Sequence, residues 1–254
     1  MSDRVFVFGE GKTEQTVLDN LGKYLGAGGL EPTFVGGKNN FRNKMLIELE
    51  PEFKPGMPGH YVRVLVFRDV DRGETEADLC RSFGSIARQL IDTPAQWRSV
   101  ADAANVFAVD IRPTGERPGL RLVLHLAATP PVTGLPPVLP DFSDKTTDGY
   151  LLGLALSPGV VERFARDARV DATVIVQKVT AELPQLFSQN RLPLETDKDY
   201  LAAYLVATRF WKVKRNEAKE RLAGIILDRA TKAAAQDFCT VMHSWLCAIK
   251  EARR

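Results

Sequence analysis

Two acidic signatures in this sequence each follow an apolar run. "VFVFGEGKTEQTVLDNL" (5–21) carries Glu10 directly after a short apolar segment closed by Gly9. "YVRVLVFRDVDRGE" (61–74) carries Asp69 and Asp71, with Glu74 close behind. Residues two apart in extended chain point to the same side, so Asp69 and Asp71 act together. If the two runs are neighbouring strands, three carboxylates converge at one sheet edge. Three such groups cannot all stay ionised without a cation, and hard oxygen donors without His or Cys favour Mg2+ or Mn2+. The plain alternative is that Asp69 and Asp71 are strand-end acids capping the next helix.

Gly11-Lys12-Thr13 has the ending of a phosphate-binding loop, but that loop needs G-x-x-x-x-G-K-[ST] so that successive N–H groups wrap the phosphate. Position 6 holds Phe6, inside the apolar run, and one residue separates Gly9 from Gly11. The turn is too short to encircle a phosphate. Lys12, Arg68 and Arg72 flank the acids and are candidates to neutralise one, each also readable as a surface charge. Glu14 reads as an acid stabilised at a helix N-terminus.

The elements that must position these residues follow from periodicity. "VFVFG", "TFVGG", "YVRVLVFRDVD" and "NVFAVDI" read as strands. Three amphipathic helices alternate with them, the first capped by Thr13 and bearing Val17, Leu18, Leu21, Tyr24 and Leu25. Such alternation implies an α/β fold with a mainly parallel sheet covered by helices on both faces. Open sheets of this kind place ligands at the carboxyl ends of their strands, where Glu10, Asp69 and Asp71 fall. "GLRLVLHLA" is expected to add an edge strand. Five prolines between 130 and 140 mark a loop or linker. Beyond it the chain reads as mostly helical, ending in a helix striped by Phe238, Val241, Met242, Trp245, Leu246 and Ile249. The expected division is 1–128 as an α/β domain, 129–147 as linker and 148–254 as a helical part.

The Glu after the first strand and the D-x-D after a later one resemble the Toprim domain of topoisomerases, primases and OLD-type nucleases, over about the first 110 residues. The opening "EGKTEQTVLDNL", the stretch "TDGYLLGLALSPGVVERF" and the ending "AAAQDFCTVMHSWLCAI" look most like the small stand-alone Toprim-like proteins called domain of unknown function 4276. The resemblance implies a Toprim-like, Rossmann-like sheet and metal-dependent phosphodiester cleavage. Glu10, Asp69 and Asp71 would hold Mg2+ or Mn2+, Glu10 would double as general acid/base, and Glu74 and Asp148 would complete a second metal position. Asp148 stands where that group usually has glutamate, and Tyr150 where it has tryptophan. The resemblance further implies a nuclease acting in bacterial anti-phage defence with an ATPase partner; nucleic acid, DNA ahead of RNA, is the expected substrate. Two alternatives stay open: a non-catalytic metal- or nucleotide-binding scaffold, and an α/β phosphatase on a small phosphoester.

Charge distribution adds a substrate surface. The chain of 254 residues has a net charge of +2. Residues 209–254 carry 11 basic and 5 acidic residues, a balance of +6, leaving −4 for the rest. Within them Arg209, Trp211, Lys212, Lys214 and Arg215 interleave cations with an aromatic ring, a pattern suited to phosphates and unpaired bases, or to a helix core. Arg72 joins this set beside the acids. Three cysteines without C-x-x-C spacing give neither a disulfide framework nor a zinc site, so a cytoplasmic protein is expected. No apolar stretch is long enough for a signal peptide or a membrane span.

Overall fold

The computed structural model describes residues 4–26, 29–54, 59–115, 117–129, 139–140, 142, 144–208, 218–233 and 235–254. The chain divides into two compact units, the first comprising residues 1–127 and 244–254, the second 128–243.

The first unit is a six-stranded sheet in the order β2-β1-β3-β6-β5-β4. β1 (Val5–Gly9) lies between β2 (Leu30–Phe34) and β3 (Tyr61–Arg68), parallel to both. β3 pairs in parallel with β6 (Gly119–Leu126). β5 (Ala103–Ile111) and β4 (Arg98–Val100) complete the sheet as antiparallel strands. The fold is therefore α/β and mainly parallel, as its alternation implies. "GLRLVLHLA" is not an edge strand: β6 sits between β3 and β5, and the edge is the short β4. β6 is buried almost throughout because its polar members are neutralised in place. Arg121 pairs with Asp110 at 2.6 Å, and His125 packs among aromatic rings.

Helices cover both sheet faces. On one face, α2 (Phe41–Leu49) and α3 (Glu76–Ile91) bury Phe41, Met45, Leu79 and Phe83 against Phe6, Phe8, Val64, Val66, Leu122 and Leu124. These sheet positions are all even-numbered, the period-2 signature of one face. α1 (Lys12–Leu25) buries Val17, Leu18 and Leu21. It starts at Gly11 rather than at a Thr13 cap, because the Glu14 carboxylate accepts the Gly11 N–H at 2.9 Å. α11 (His243–Arg253) lies against the odd-numbered face, where Trp245 stacks on Phe67 at a centroid distance of 3.9 Å. Its buried Glu251 pairs with Arg98 of β4. The striped C-terminal segment is thus two helices rather than one. α10 (Ala235–Val241) belongs to the second unit, and the chain from Ser244 belongs to the first.

The second unit is helical, built around α4 (Thr147–Leu156), every residue of which is buried. A helix apolar on all sides needs partners on all sides. α5 (Pro158–Ala168), α8 (Asp197–Ala207), α9 (Ala218–Ala233) and α10 pack against it. α6 (Ala172–Gln177) and α7 (Leu183–Gln189) are joined by a π-helical turn over Lys178–Glu182. A Cβ on Gly149 would stand 2.9 Å from Asp197 Oδ2, so glycine there lets the start of α8 close on α4. Asp197 Oδ2 accepts both the N–H and the hydroxyl of Thr146 at 2.9 Å. Most of the proline-rich stretch lies outside the described residues. Leu139 and Phe142, within the expected linker, are buried, and Phe142 sets its ring edge-on to Tyr200.

Candidate functional site

β1 sends its chain to β2 on one side, while β3 lies on its other side. The carboxyl ends of β1 and β3 therefore flank the switch point of the sheet, where the loops diverge and leave a crevice. Glu10 follows β1 and Arg68 ends β3. Both continue the even-numbered face of their strands beyond the apolar core, and there the two meet.

Arg68 is the centre of the site. It is 4% exposed. Its guanidinium bonds the Glu10 carboxylate at 2.5 Å, both Glu74 oxygens at 2.9 and 3.0 Å, and the backbone carbonyl of Asp69. Asp71 Oδ2 stands 3.8 Å away and is also held by the ammonium of Lys38. A tight turn fixes Glu74. The Glu74 N–H bonds the Asp71 carbonyl, the Asp71 N–H returns a bond to the Glu74 carboxylate, and Gly73 supplies the φ of +85° between them. Lys38 arrives on the connection after β2, where the Gly37 N–H bonds the Glu10 carbonyl. The fork geometry of arginine suits this role, since one planar group satisfies several carboxylates at once.

The electrostatics lean negative. Burial pushes the Glu10 carboxyl above its ordinary value. Arg68 pulls it back, and Glu14 and Asp71 add to the rise. The hydrogen bond from Lys38 to Asp71 raises the lysine.

The structure thus brings Glu10, Asp71 and Glu74 together, with Asp69 contributing its carbonyl. Lys12 is exposed at the first position of α1, and Arg72 is exposed on the Asp71–Glu74 turn. Asp148 belongs to the second unit, buried in the first turn of α4 with its N–H on Thr146 Oγ1; the nearby Asp197 carboxyl is pushed up chiefly by burial, with Thr146 pulling it back and Asp148 adding to the rise. Arg209, Trp211, Lys212, Lys214 and Arg215 lie outside the described residues. Sequence reasoning missed Lys38 altogether and cast Arg68 as a flank. The even-numbered register Phe6, Phe8, Glu10 beside Val64, Val66, Arg68 was the signal that would have placed Arg68 opposite Glu10.

The donor set matches a hard divalent cation in chemistry, being carboxylate oxygen throughout. The side chains are not arranged as a ligand shell: among the described residues no three His, Cys, Asp or Glu groups are placed to hold a metal ion. Arg68 and Lys38 occupy the carboxylates instead.

No family model matches the chain, and no curated protein matches it. A solved structure does. The crystal structure of hypothetical protein PH0156 from Pyrococcus horikoshii OT3 superposes with a TM-score of 0.56 at 15% identity, covering 98% of this chain and 99% of that one. That likeness concerns the fold and supports the α/β assignment. Among the described residues no helix is long and apolar enough to cross a membrane.

Proposed function

We propose that the protein is a Toprim-type phosphodiester hydrolase that acts on nucleic acid, DNA more than RNA, with Mg2+ or Mn2+. The observation that carries this reading is the convergence of Glu10, Asp71 and Glu74 on Arg68 at the switch point between β1 and β3. Glu10, Asp69 and Asp71, with Glu74 beside them, are the residues that would hold the cation, once Glu10, Asp71 and Glu74 are released from Arg68 and Lys38. A divalent ion held there would supply Lewis acidity toward a phosphoryl oxygen and would lower the pKa of a bound water. The chain's own groups do the rest. Arg68 and Lys38 trade carboxylate partners for phosphate oxygens, and Glu10 is placed to accept or return a proton. Lys12 and Arg72, both exposed, face incoming polyanion. A cytoplasmic role in anti-phage defence beside an ATPase partner belongs to this reading through the Toprim resemblance alone.

One observation favours a second reading. Because Arg68 and Lys38 already occupy the acids, the site also suits a scaffold that binds nucleotide without cleaving it. Nicking of supercoiled plasmid in Mn2+ separates the two. Wild type should nick, and Glu10→Gln should lose about 10²–10⁴-fold in rate. Hydrolysis of a chromogenic phosphomonoester without nicking would turn the reading toward a phosphatase. Neither activity, with nucleotide binding retained, would leave the scaffold.

A further inference from the structure

Beside the carboxylates, a cleft of about 350 Å³ opens between the Lys38–Asn40 turn, α2 and α3. Arg68 and Glu74 line its inner end, so it is continuous with the site described above. Its polar lining comprises Lys38, Asn39, Arg42, Ser82 and Ser85 in addition. The lining has three cations and one carboxylate, a balance of 3 − 1 = +2. Its floor is apolar, with Phe41 and Phe83 in an edge-to-face pair at 5.4 Å.

We propose that this cleft seats a neighbouring phosphodiester of the nucleic-acid strand whose scissile phosphate lies at Arg68, with Arg42 as the anchoring cation. The inference rests on the hydrolase reading for the orientation of the strand. Lys38 and Arg68 are paired with Asp71, Glu10 and Glu74, and in that reading they turn to the scissile phosphate and not to its neighbour. Arg42 stands exposed on the first turn of α2 and forms no ion pair among the described residues. One uncommitted guanidinium matches the single negative charge of an internal phosphodiester, whereas a terminal phosphomonoester brings a second charge that nothing uncommitted there matches. Guanidinium forks bind two phosphate oxygens at once. Ser82 and Ser85, three apart on α3 and so on one side of that helix, add hydroxyl donors along the opposite wall. The volume lies at the low end for organic ligands and accommodates about one nucleotide unit.

The test is equilibrium anisotropy of a fluorescein-labelled oligothymidylate with the full chain in EDTA, titrated across salt concentrations. Arg42→Ala should weaken binding about tenfold, as expected for a hydrogen bond to a charged group, and Arg42→Glu more. The log–log salt slope should fall by about 0.7, one single-strand phosphate contact. Lys44→Ala, which removes one charge from the same helix outside the cleft, should change affinity less than Arg42→Ala. Ser82→Tyr, which fills the cleft without altering charge, should weaken binding as well. Equal effects of Arg42→Ala and Lys44→Ala, or wild-type binding by Arg42→Glu, would overturn the proposal. So would thymidine monophosphate binding as tightly as the oligomer, since the cleft would then be a small-ligand site. Plasmid nicking distinguishes the two readings. Nicking with Arg42-independent binding sinks the cleft alone, and Arg42-dependent binding without nicking sinks the hydrolase alone.

Discussion

Arg68 and His125 sit one register step apart at the carboxyl ends of adjacent strands, where Phe67 pairs with His125 and Arg68 with Leu126. Both are almost fully buried. They face opposite sides of the sheet, and their chemistry diverges accordingly. Arg68 emerges where the cover of α2 and α3 gives way to the crevice, and it gathers acids. His125 lies under α11 beside the stacked Phe67 and Trp245 rings, with Ser244 Oγ at 2.9 Å from its Nε2. Burial pushes the His125 imidazole down to about 3, so it stays neutral and acts as a latch for the returning helix. Position at a strand end does not make a site. The face it belongs to, and what covers that face, decide between charge chemistry and packing.

The sharpest way to break this contrast is to remove Arg68. Arg68→Met keeps much of the volume but leaves Glu10, Asp71 and Glu74 without their shared cation. Removing one partner of a buried ion pair costs about 3–5 kcal/mol. Urea denaturation at pH 7 should show that loss, and it should shrink in acid as the carboxylates protonate. Arg68→Lys should recover part of it, since the charge returns without the fork. A loss under about 1 kcal/mol would mean that the cluster behaves as a surface network.

The matching experiment on the other face uses pH. The folded pKa of His125 is about 3 against an ordinary 6.5, so it is depressed. Its contribution to stability is complete above pH 6.5 and is lost as pH falls toward 3, because the unfolded chain takes up a proton that the native state refuses. The slope is about 1.4 kcal/mol per pH unit, or about 2 kcal/mol by pH 5. His125→Phe should cost stability at pH 7 through the lost Ser244 bond, yet show less acid sensitivity than wild type over this window. Parallel pH profiles for the two proteins would mean that His125 titrates normally and that α11 opens readily.

These two residues also mark where the sequence is legible. Strands that end in acids announce their position, since the apolar runs before Glu10 and Asp69-Val70-Asp71 mark where β1 and β3 stop. Alternation was equally readable: α2 and α3 bury Phe41, Met45, Leu49, Leu79, Phe83 and Ile86 as their periodicity assigns, and α1 buries Val17, Leu18 and Leu21 but leaves Tyr24 and Leu25 of its stripe exposed. Illegible features depend on which strand neighbours which. β6, expected at an edge, lies inside the sheet with its polar Arg121 and His125 each answered by a partner distant in sequence. Lys38 and Arg42 come from a connection that crosses the end of β1, and no local pattern points there. The stripe from Phe238 to Ile249 has one period but serves two compact units, because an apolar stripe specifies burial and not a partner.

The smallest effect expected is also the most specific to the site. Glu10 carries a raised pKa, with burial as the largest cause and Glu14 and Asp71 adding to it, despite the ion pair with Arg68. A carboxyl raised in the folded state favours folding only while it is protonated. Its relative benefit is present below the ordinary 4.5 and is lost as pH rises through the folded value. At pH 7 the ionised side chain therefore works against the native state. Glu10→Gln keeps the shape and leaves an oxygen to accept from Arg68. In metal-free protein it should raise the Tm by about 1–3 °C at pH 7, a fraction of a kcal/mol for a chain of this size. The difference from wild type should vanish below pH 4.5. The same substitution is expected to abolish nicking, so gain in stability and loss of activity should arrive together. Calorimetry in EDTA at pH 7 and pH 4 reads the first half. A lower Tm for Glu10→Gln at pH 7 would make Glu10 a structural partner of Arg68, on the same footing as His125 and Ser244 across the sheet, and the contrast between the two faces would close.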